Sequence, residues 1–127
     1  MTKLANQIIV GVNIAALSEA LVLAAKSGVN PENVYQAIRG GLAGSTVMDA
    51  KAPMMLDRNF DPGFRIELHI KDLTNAENAS RAVGMELPMT EQVLVMMKKL
   101  QEEGMGKCDH SALLRYYEEK ENIEVKR

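Results

Sequence analysis

An ammonium group and two amides lie close together at the start of the chain. Lys3, Asn6 and Gln7 are spaced i, i+3 and i+4, so a helix that begins here presents all three on one face. An ammonium group can donate a proton or a hydrogen bond to a reacting oxygen, and amides can orient a polar substrate. On its spacing alone, this short pattern is more typical of a solvated first helical turn without chemistry.

Lys71 is a second lysine at the polar edge of an otherwise apolar helical segment. A lysine near a helix N-terminus that is partly desolvated gives up its proton more readily than one in water, which suits proton transfer. Lys3 and Lys71 are therefore the candidate proton donors. If the two act together, we expect them to meet at one rim of the first helix.

Other reactive residue types are better explained by structure. Asp109, His110 and Ser111 are consecutive, so they cannot converge as a catalytic triad, and Asp109 or Ser111 is expected to cap the last helix. His69 has no second histidine or cysteine at ligand spacing, so we predict no metal site. The glycine-rich segment 40–44 lacks the Lys-Ser/Thr of a phosphate-binding loop and is typical of a turn between helices.

Composition limits the remaining classes of function. The 127 residues suit one domain with a modest core, and 46% hydrophobic with 25% charged residues is ordinary for a globular protein. A formal net charge of -2 and 4% aromatic residues give no reason to expect a nucleic-acid partner. One cysteine, Cys108, and no secretory leader favour a cytoplasmic location.

The first stretch of the chain, residues 3–26, is the element that must position Lys3. Its apolar residues cover most of the helical circumference, which predicts a central helix enclosed by other elements. A membrane span is the alternative. Asn13, Ser18 and Glu19 interrupt the apolar run and the chain has no Trp, so we expect a buried helix and no membrane partner.

Five more helices are predicted, over about 31–39, 45–55, 64–83, 87–103 and 111–121. Gly28, Asn30 and Pro31 predict the end of the first helix and the start of the second, and Pro53 is expected to bend or end the third. The tail from Glu118 alternates in charge and is expected to fray. No strand pattern is present, so the fold class is all-α, with helices wrapped around a long buried first helix.

The chain resembles the C-terminal domain of the β-hydroxyacid dehydrogenases, the family of 3-hydroxyisobutyrate dehydrogenase. The segments that carry the resemblance follow one another in the family's order: KLANQ, NIAALSEAL, IRGGLAGS, DRNFDPGF, LHIKDL and CDHSALLRYYE. The resemblance implies a helical domain like that at the C-terminus of 6-phosphogluconate dehydrogenase. It normally follows a Rossmann domain, and no strand–GxGxxG–helix unit is present here. We therefore expect residues 1–127 to form one helical domain, with the N-terminal Rossmann domain absent from this chain.

The resemblance also implies roles for individual residues. Lys3 matches the catalytic lysine, which donates a proton or hydrogen bond to the carbonyl oxygen as hydride arrives from the nicotinamide. The family has Asn four positions later, where this chain has Gln7 with Asn6 before it, so either amide is a candidate substrate ligand. Phe64 and Lys71 match cofactor-contacting positions, and Asp72 is expected to support Lys71.

Two classes of function remain open. The first is an oxidoreductase domain that acts on a small β-hydroxyacid or its semialdehyde with NAD or NADP, a cofactor held mainly by the missing domain. The isolated chain would then be inactive. The second is a helical oligomerisation or interaction module without chemistry. The apolar first helix fits both, and the resemblance implies a homo-oligomer.

Overall fold

The long first helix, α1 (Thr2–Lys26), packs against all five other α-helices in the computed structural model, which describes residues 1–127. The fold is all-α, as predicted, and its remaining helices are α2 (Pro31–Ile38), α3 (Thr46–Asp57), α4 (Ile66–Ala82), α5 (Pro88–Leu100) and α6 (Leu114–Glu121). A short helical segment, Gln101–Met105, follows α5 and is broken by Gly104, whose φ is 91°. A 3₁₀ turn, His110–Leu113, leads into α6.

The core lies along one side of α1 rather than all around it. Ile14 and Leu21 are fully buried among residues of the other helices. A stripe on the opposite side is exposed: Ile9 is 61% exposed and Leu23 67%, with Ala16 and Ala20 between them. The prediction of a central first helix is confirmed, and this stripe is the part of α1 that the other five helices leave uncovered. Five shorter helices pack along a 25-residue helix without covering its whole circumference.

α1 is also long and apolar enough to cross a membrane by length and composition. In its most apolar 18-residue window, 44% of the residues are buried inside the domain. The core helix of a globular domain passes the same test of length and composition.

The predicted turn chemistry between the first helices is confirmed. Gly28 takes a left-handed conformation with φ of 81°, and the side chain of Asn30 accepts a hydrogen bond from the Glu32 amide at 2.8 Å. Pro31 begins α2 and Ser45 caps α3. Pro53 does not end α3, which continues to Asp57. Its missing amide is tolerated because the residues around it, Ala52, Met55 and Leu56, are buried in the core.

The C-terminal tail is held against the domain, so the prediction of fraying is wrong. The Arg58 guanidinium donates to both oxygens of Glu118, at 2.7 and 3.0 Å, and to the Val125 carbonyl at 2.9 Å. Val125 is fully buried. Burial would raise the pKa of Glu118, but hydrogen bonds from Arg58 and the Val125 amide hold that pKa below its ordinary value. Arg127 then pairs with Asp57 and Glu32.

Candidate functional site

The polar start of α1 meets α4 at the carboxylate of Asp72. The Gln7 side-chain amide donates to Asp72 Oδ2 at 2.9 Å, and Lys3 Nζ lies 3.6 Å from Asp72 Oδ1. Asn6 Nδ2 donates to Gln7 Oε1 at 2.9 Å. The structure thus brings together four residues that the sequence singled out. We call these four residues, Lys3, Asn6, Gln7 and Asp72, the Asp72 site.

Helical periodicity explains why Asp72 lies there. His69, Asp72 and Ala76 are spaced i, i+3 and i+7 on the buried face of α4. A carboxylate on such a face requires hydrogen-bonding partners, because burying it without them is costly. Its side chain is only 11% exposed, and Gln7 and Lys3 supply the partners from α1.

The two candidate lysines lie on an open surface rather than in a closed pocket. The Lys3 side chain is 73% exposed, so the expected partial desolvation is not present in this chain. Lys71 is also exposed and lies next to Asp72 in α4, but it forms no ion pair with it. The charge partner of Asp72 is therefore Lys3, not Lys71 as predicted.

Phe64 is linked to the Asp72 site through a buried histidine. Its half-buried ring lies edge-on to His69, with 5.7 Å between centroids, and 5.4 Å from the ring of His110. Its backbone amide donates to Asp109 Oδ1 at 2.9 Å. The structure therefore places Phe64 near the start of α1 without direct contact to Lys3.

The histidine pair is the part of the site that sequence reasoning missed. His69 Nδ1 and His110 Nδ1 are 2.8 Å apart, and His69 Nε2 lies 3.0 Å from the Gln7 carbonyl oxygen. Burial lowers the pKa of His69, and it lowers the pKa of His110 to about 3 with the help of the nearby Lys51 charge. The two residues are 41 positions apart, so no local spacing could have revealed the contact. The chain has no group of three or more His, Cys, Asp or Glu side chains suited to a metal ion.

Asp109 fixes the loop that carries Phe64. Its Oδ1 accepts from the amides of Gly63 and Phe64, both at 2.9 Å, and its Oδ2 accepts from the Ser111 amide, as predicted for a cap. Lys51 pairs with the same carboxylate at 3.1 Å. Burial would raise the pKa of Asp109, but these hydrogen bonds lower it to about 2. The carboxylate therefore stays charged and ties the loop to the turn before α6.

Gly11 makes room for the histidine pair. A Cβ added at Gly11 would lie 3.2 Å from His69 Nε2 and 3.4 Å from His69 Cε1. The His69 ring cannot withdraw easily, because both of its nitrogens are hydrogen-bonded. This close approach explains a glycine in the middle of α1, where it costs about 1 kcal/mol relative to alanine.

We predict that Gly11→Ala destabilises the domain. Crowding against His69 should cost about 1–3 kcal/mol and exceed the gain of about 1 kcal/mol in helix propensity. Urea denaturation measures the net change. Gly40→Ala is the matched control, since a Cβ there meets no atom within 4 Å, and it should be neutral. A Gly11→Ala variant as stable as this control would contradict the close contact.

The free energy of unfolding should decrease as the pH is lowered from 7.5 to 5. In the fold His110 resists protonation down to about pH 3, whereas an unfolded chain takes up the proton below about pH 6.5. At about 1.4 kcal/mol per pH unit, His110 alone should cost about 2 kcal/mol at pH 5. Asp109 does not contribute there, because its stabilisation is lost only between about pH 3.8 and 2. Denaturation midpoints that are equal at the two pH values would contradict neutral buried histidines, and His110→Asn should reduce the difference.

Comparison with known proteins places the chain in a family. Residues 1–117 match the sequence profile described as the NAD-binding domain of NADP-dependent 3-hydroxyisobutyrate dehydrogenase. The 2-hydroxy-3-oxopropionate reductase of Escherichia coli is 42% identical over 116 residues, which are 91% of this chain and 40% of that protein. The 2-(hydroxymethyl)glutarate dehydrogenase of Eubacterium barkeri is 32% identical over 97% of this chain and 41% of its own length.

A solved structure shares the fold. The 3-hydroxyisobutyrate dehydrogenase of Salmonella typhimurium superimposes with a TM-score of 0.85 at 27% identity, over 90% of this chain and 40% of that one. This chain thus spans about two fifths of the length of the relatives it matches. The profile, the identities and the shared fold together show that the chain belongs to the 3-hydroxyisobutyrate dehydrogenase family and corresponds to its C-terminal helical domain.

Proposed function

We propose that this chain supplies the catalytic lysine of an NAD(P)-dependent reductase that interconverts tartronate semialdehyde and D-glycerate. The observation that carries the proposal is an ion pair: the exposed ammonium group of Lys3 lies beside the buried carboxylate of Asp72. The choice of substrate is supported by the 42% identity to a protein named 2-hydroxy-3-oxopropionate reductase.

Lys3 has the chemistry that aldehyde reduction needs. When a hydride adds to the carbonyl carbon, negative charge develops on the oxygen, and a proton must be delivered there. The ammonium of Lys3 hydrogen-bonds this oxygen and transfers its proton to it, leaving a neutral amine that water reprotonates. Asp72 contacts the ammonium group from its buried side, which leaves the solvent-facing side for the substrate.

The side-chain amides of Asn6 and Gln7 have different roles in the proposed site. Gln7 is buried, and both ends of its carboxamide are engaged, with Asp72 and with Asn6. Asn6 is exposed and keeps its carbonyl oxygen free. We therefore assign the substrate contact to Asn6 and the support of the site to Gln7.

The residues of this chain suit only one end of a nicotinamide cofactor. The half-buried ring of Phe64 offers an apolar edge, and the exposed Lys71 offers a cation for a phosphate group. The cofactor, when bound, supplies the hydride. A dinucleotide-binding Rossmann domain outside these residues would hold most of it and would cover the open surface around Lys3.

A homo-oligomer is a second proposal, and it is independent of catalysis. The exposed stripe of α1, which contains Ile9, Ala16, Ala20 and Leu23, is mostly apolar and is interrupted by Asn13. Such a stripe is typical of a helix that packs against a partner.

We expect Lys3→Ala to abolish turnover in a two-domain protein that joins this chain to its dinucleotide-binding domain. Loss of the proton donor should lower kcat by about 10²–10⁴-fold in NAD(P)H-dependent reduction of tartronate semialdehyde. The fold should not change, because Lys3 is exposed. Lys98→Ala, on the exposed face of α5, is the matched control and should keep full activity.

Retained activity in Lys3→Ala would reject Lys3 as the proton donor. The 127-residue chain alone should show no saturable binding of NADH or NADPH by calorimetry, because the domain proposed to hold the cofactor is absent. Preference for 2-(hydroxymethyl)glutarate over tartronate semialdehyde would reject the substrate but keep the reaction class.

Analytical ultracentrifugation tests the oligomer. The chain should sediment as a dimer or larger species, and Leu23→Lys in the α1 stripe should shift it towards the monomer, since it places a charge in an apolar interface. Lys107→Glu, an exposed lysine outside α1, is the control. A wild-type chain that is strictly monomeric at high concentration would contradict the proposal.

A further inference from the structure

The first turns of α1 carry Lys3 and Gln7, which lie on one face of the helix. Their position relative to Asp72 therefore depends on the contacts that hold this end of α1 against α4.

Those contacts come from α4, and both are made to the same residue. Asp72 accepts from the Gln7 side chain at 2.9 Å, and one turn earlier in α4 His69 reaches the Gln7 backbone carbonyl at 3.0 Å. Gly11 leaves the space that lets the His69 ring approach so closely. Gln7 is thus held by its backbone and by its side chain.

The partners define the tautomers of both histidines. A carbonyl oxygen can only accept, so His69 must carry its proton on Nε2, and its Nδ1 is then an acceptor. His110 must therefore donate from Nδ1 across the 2.8 Å contact. His110 is itself fixed, since its backbone amide donates to the Phe64 carbonyl at 2.8 Å.

We propose that His69 is a positioning residue for Lys3: held by His110 in the Nε2–H tautomer, it binds the Gln7 carbonyl and fixes the start of α1 against Asp72. The proposal rests on the proposed function of Lys3. The charged groups around the pair are Lys51 and Asp109 beside His110, and Asp72 beside His69. Burial keeps both rings neutral at pH 7, which this tautomer pair requires.

The tautomers can be measured directly on the 127-residue chain. Two-dimensional ¹H–¹⁵N NMR of the imidazole rings at pH 7 should show His69 protonated only at Nε2 and His110 only at Nδ1. A His69 protonated at Nδ1 would overturn the proposal, because its Nε2 lone pair would then face the Gln7 oxygen. This measurement needs no variant.

Paired variants test whether His69 acts on the site. The side-chain amide of Gln can replace Nε2–H as a donor, so His69→Gln should keep the Gln7 carboxamide as ordered as in the wild type. His69→Leu fills the space without donating, and it should make the Gln7 carboxamide more mobile than in the wild type, with the exposed Gln36 as the upper limit of mobility. ¹⁵N relaxation of the two carboxamides reports this. An ordered Gln7 in a folded His69→Leu variant would contradict the proposal.

His110→Asn and His110→Leu form a second pair, in which Asn keeps a donor near the Nδ1 position. Only the Leu variant should loosen Gln7. If either Leu variant does not fold, loss of Gln7 order in His69→Gln or His110→Asn would equally contradict the proposal.

Kinetics separate this proposal from the proposed function. In the two-domain protein, His69→Leu should lower kcat by about 10–100-fold with little change in KM, since a misplaced donor slows the chemical step. His69→Gln should restore it. An active Lys3→Ala enzyme would reject the proposed function while leaving the NMR result intact. A kcat unchanged by His69→Leu in an enzyme that needs Lys3 would reject the positioning role alone.

Discussion

A buried carboxylate on the inner face of α4 is the constraint on which the rest of the site depends. Asp72 cannot remain almost fully covered without donors, and α1 supplies them as the Gln7 amide and the Lys3 ammonium. This requirement is met because the face of α4 that carries Asp72 packs against the start of α1. The same interaction leaves the lysine amino group in contact with solvent, where a substrate can reach it.

The polar groups behind Asp72 extend this constraint into the core. The His69–His110 contact joins α4 to the turn before α6, and Asp109 joins that turn to the loop of Phe64 and to Lys51 in α3. The contacts His69–His110 and Asp109–Lys51 each join a donor to an acceptor, whereas the buried hydroxyl of Ser111 has no partner. The Asp72 site therefore lies against buried groups that are neutral or paired.

The elements of the fold could largely be predicted from the sequence, because their signals are local. Gly28 and Pro31 mark a helix boundary, and the i, i+3, i+4 spacing of Lys3, Asn6 and Gln7 places them on one helical face. The family resemblance adds Asp72 to the site, although it associates Asp72 with Lys71 rather than with Lys3.

What could not be predicted depends on contacts between distant parts of the chain. Gln7 and Asp72 are 65 positions apart, and no spacing rule connects His69 with His110. The alternating charges of the tail predict fraying, but Glu118 pairs with Arg58, and Arg127 at the end of the tail pairs with Asp57 in α3. The exposed stripe of α1 could not be predicted for a similar reason. Periodicity shows which faces of a helix are apolar, but not how many other helices are available to cover them.

In the proposed reaction, Lys3 is the group that meets the reacting oxygen. The most direct measurement is a crystal structure of the two-domain protein with NADP⁺ and D-glycerate bound. Lys3 Nζ should lie within about 2.6–3.2 Å of the hydroxyl oxygen that becomes the aldehyde, with Asp72 still beside it. A ligand seated elsewhere, with Lys3 turned to solvent and another side chain on that oxygen, would contradict it.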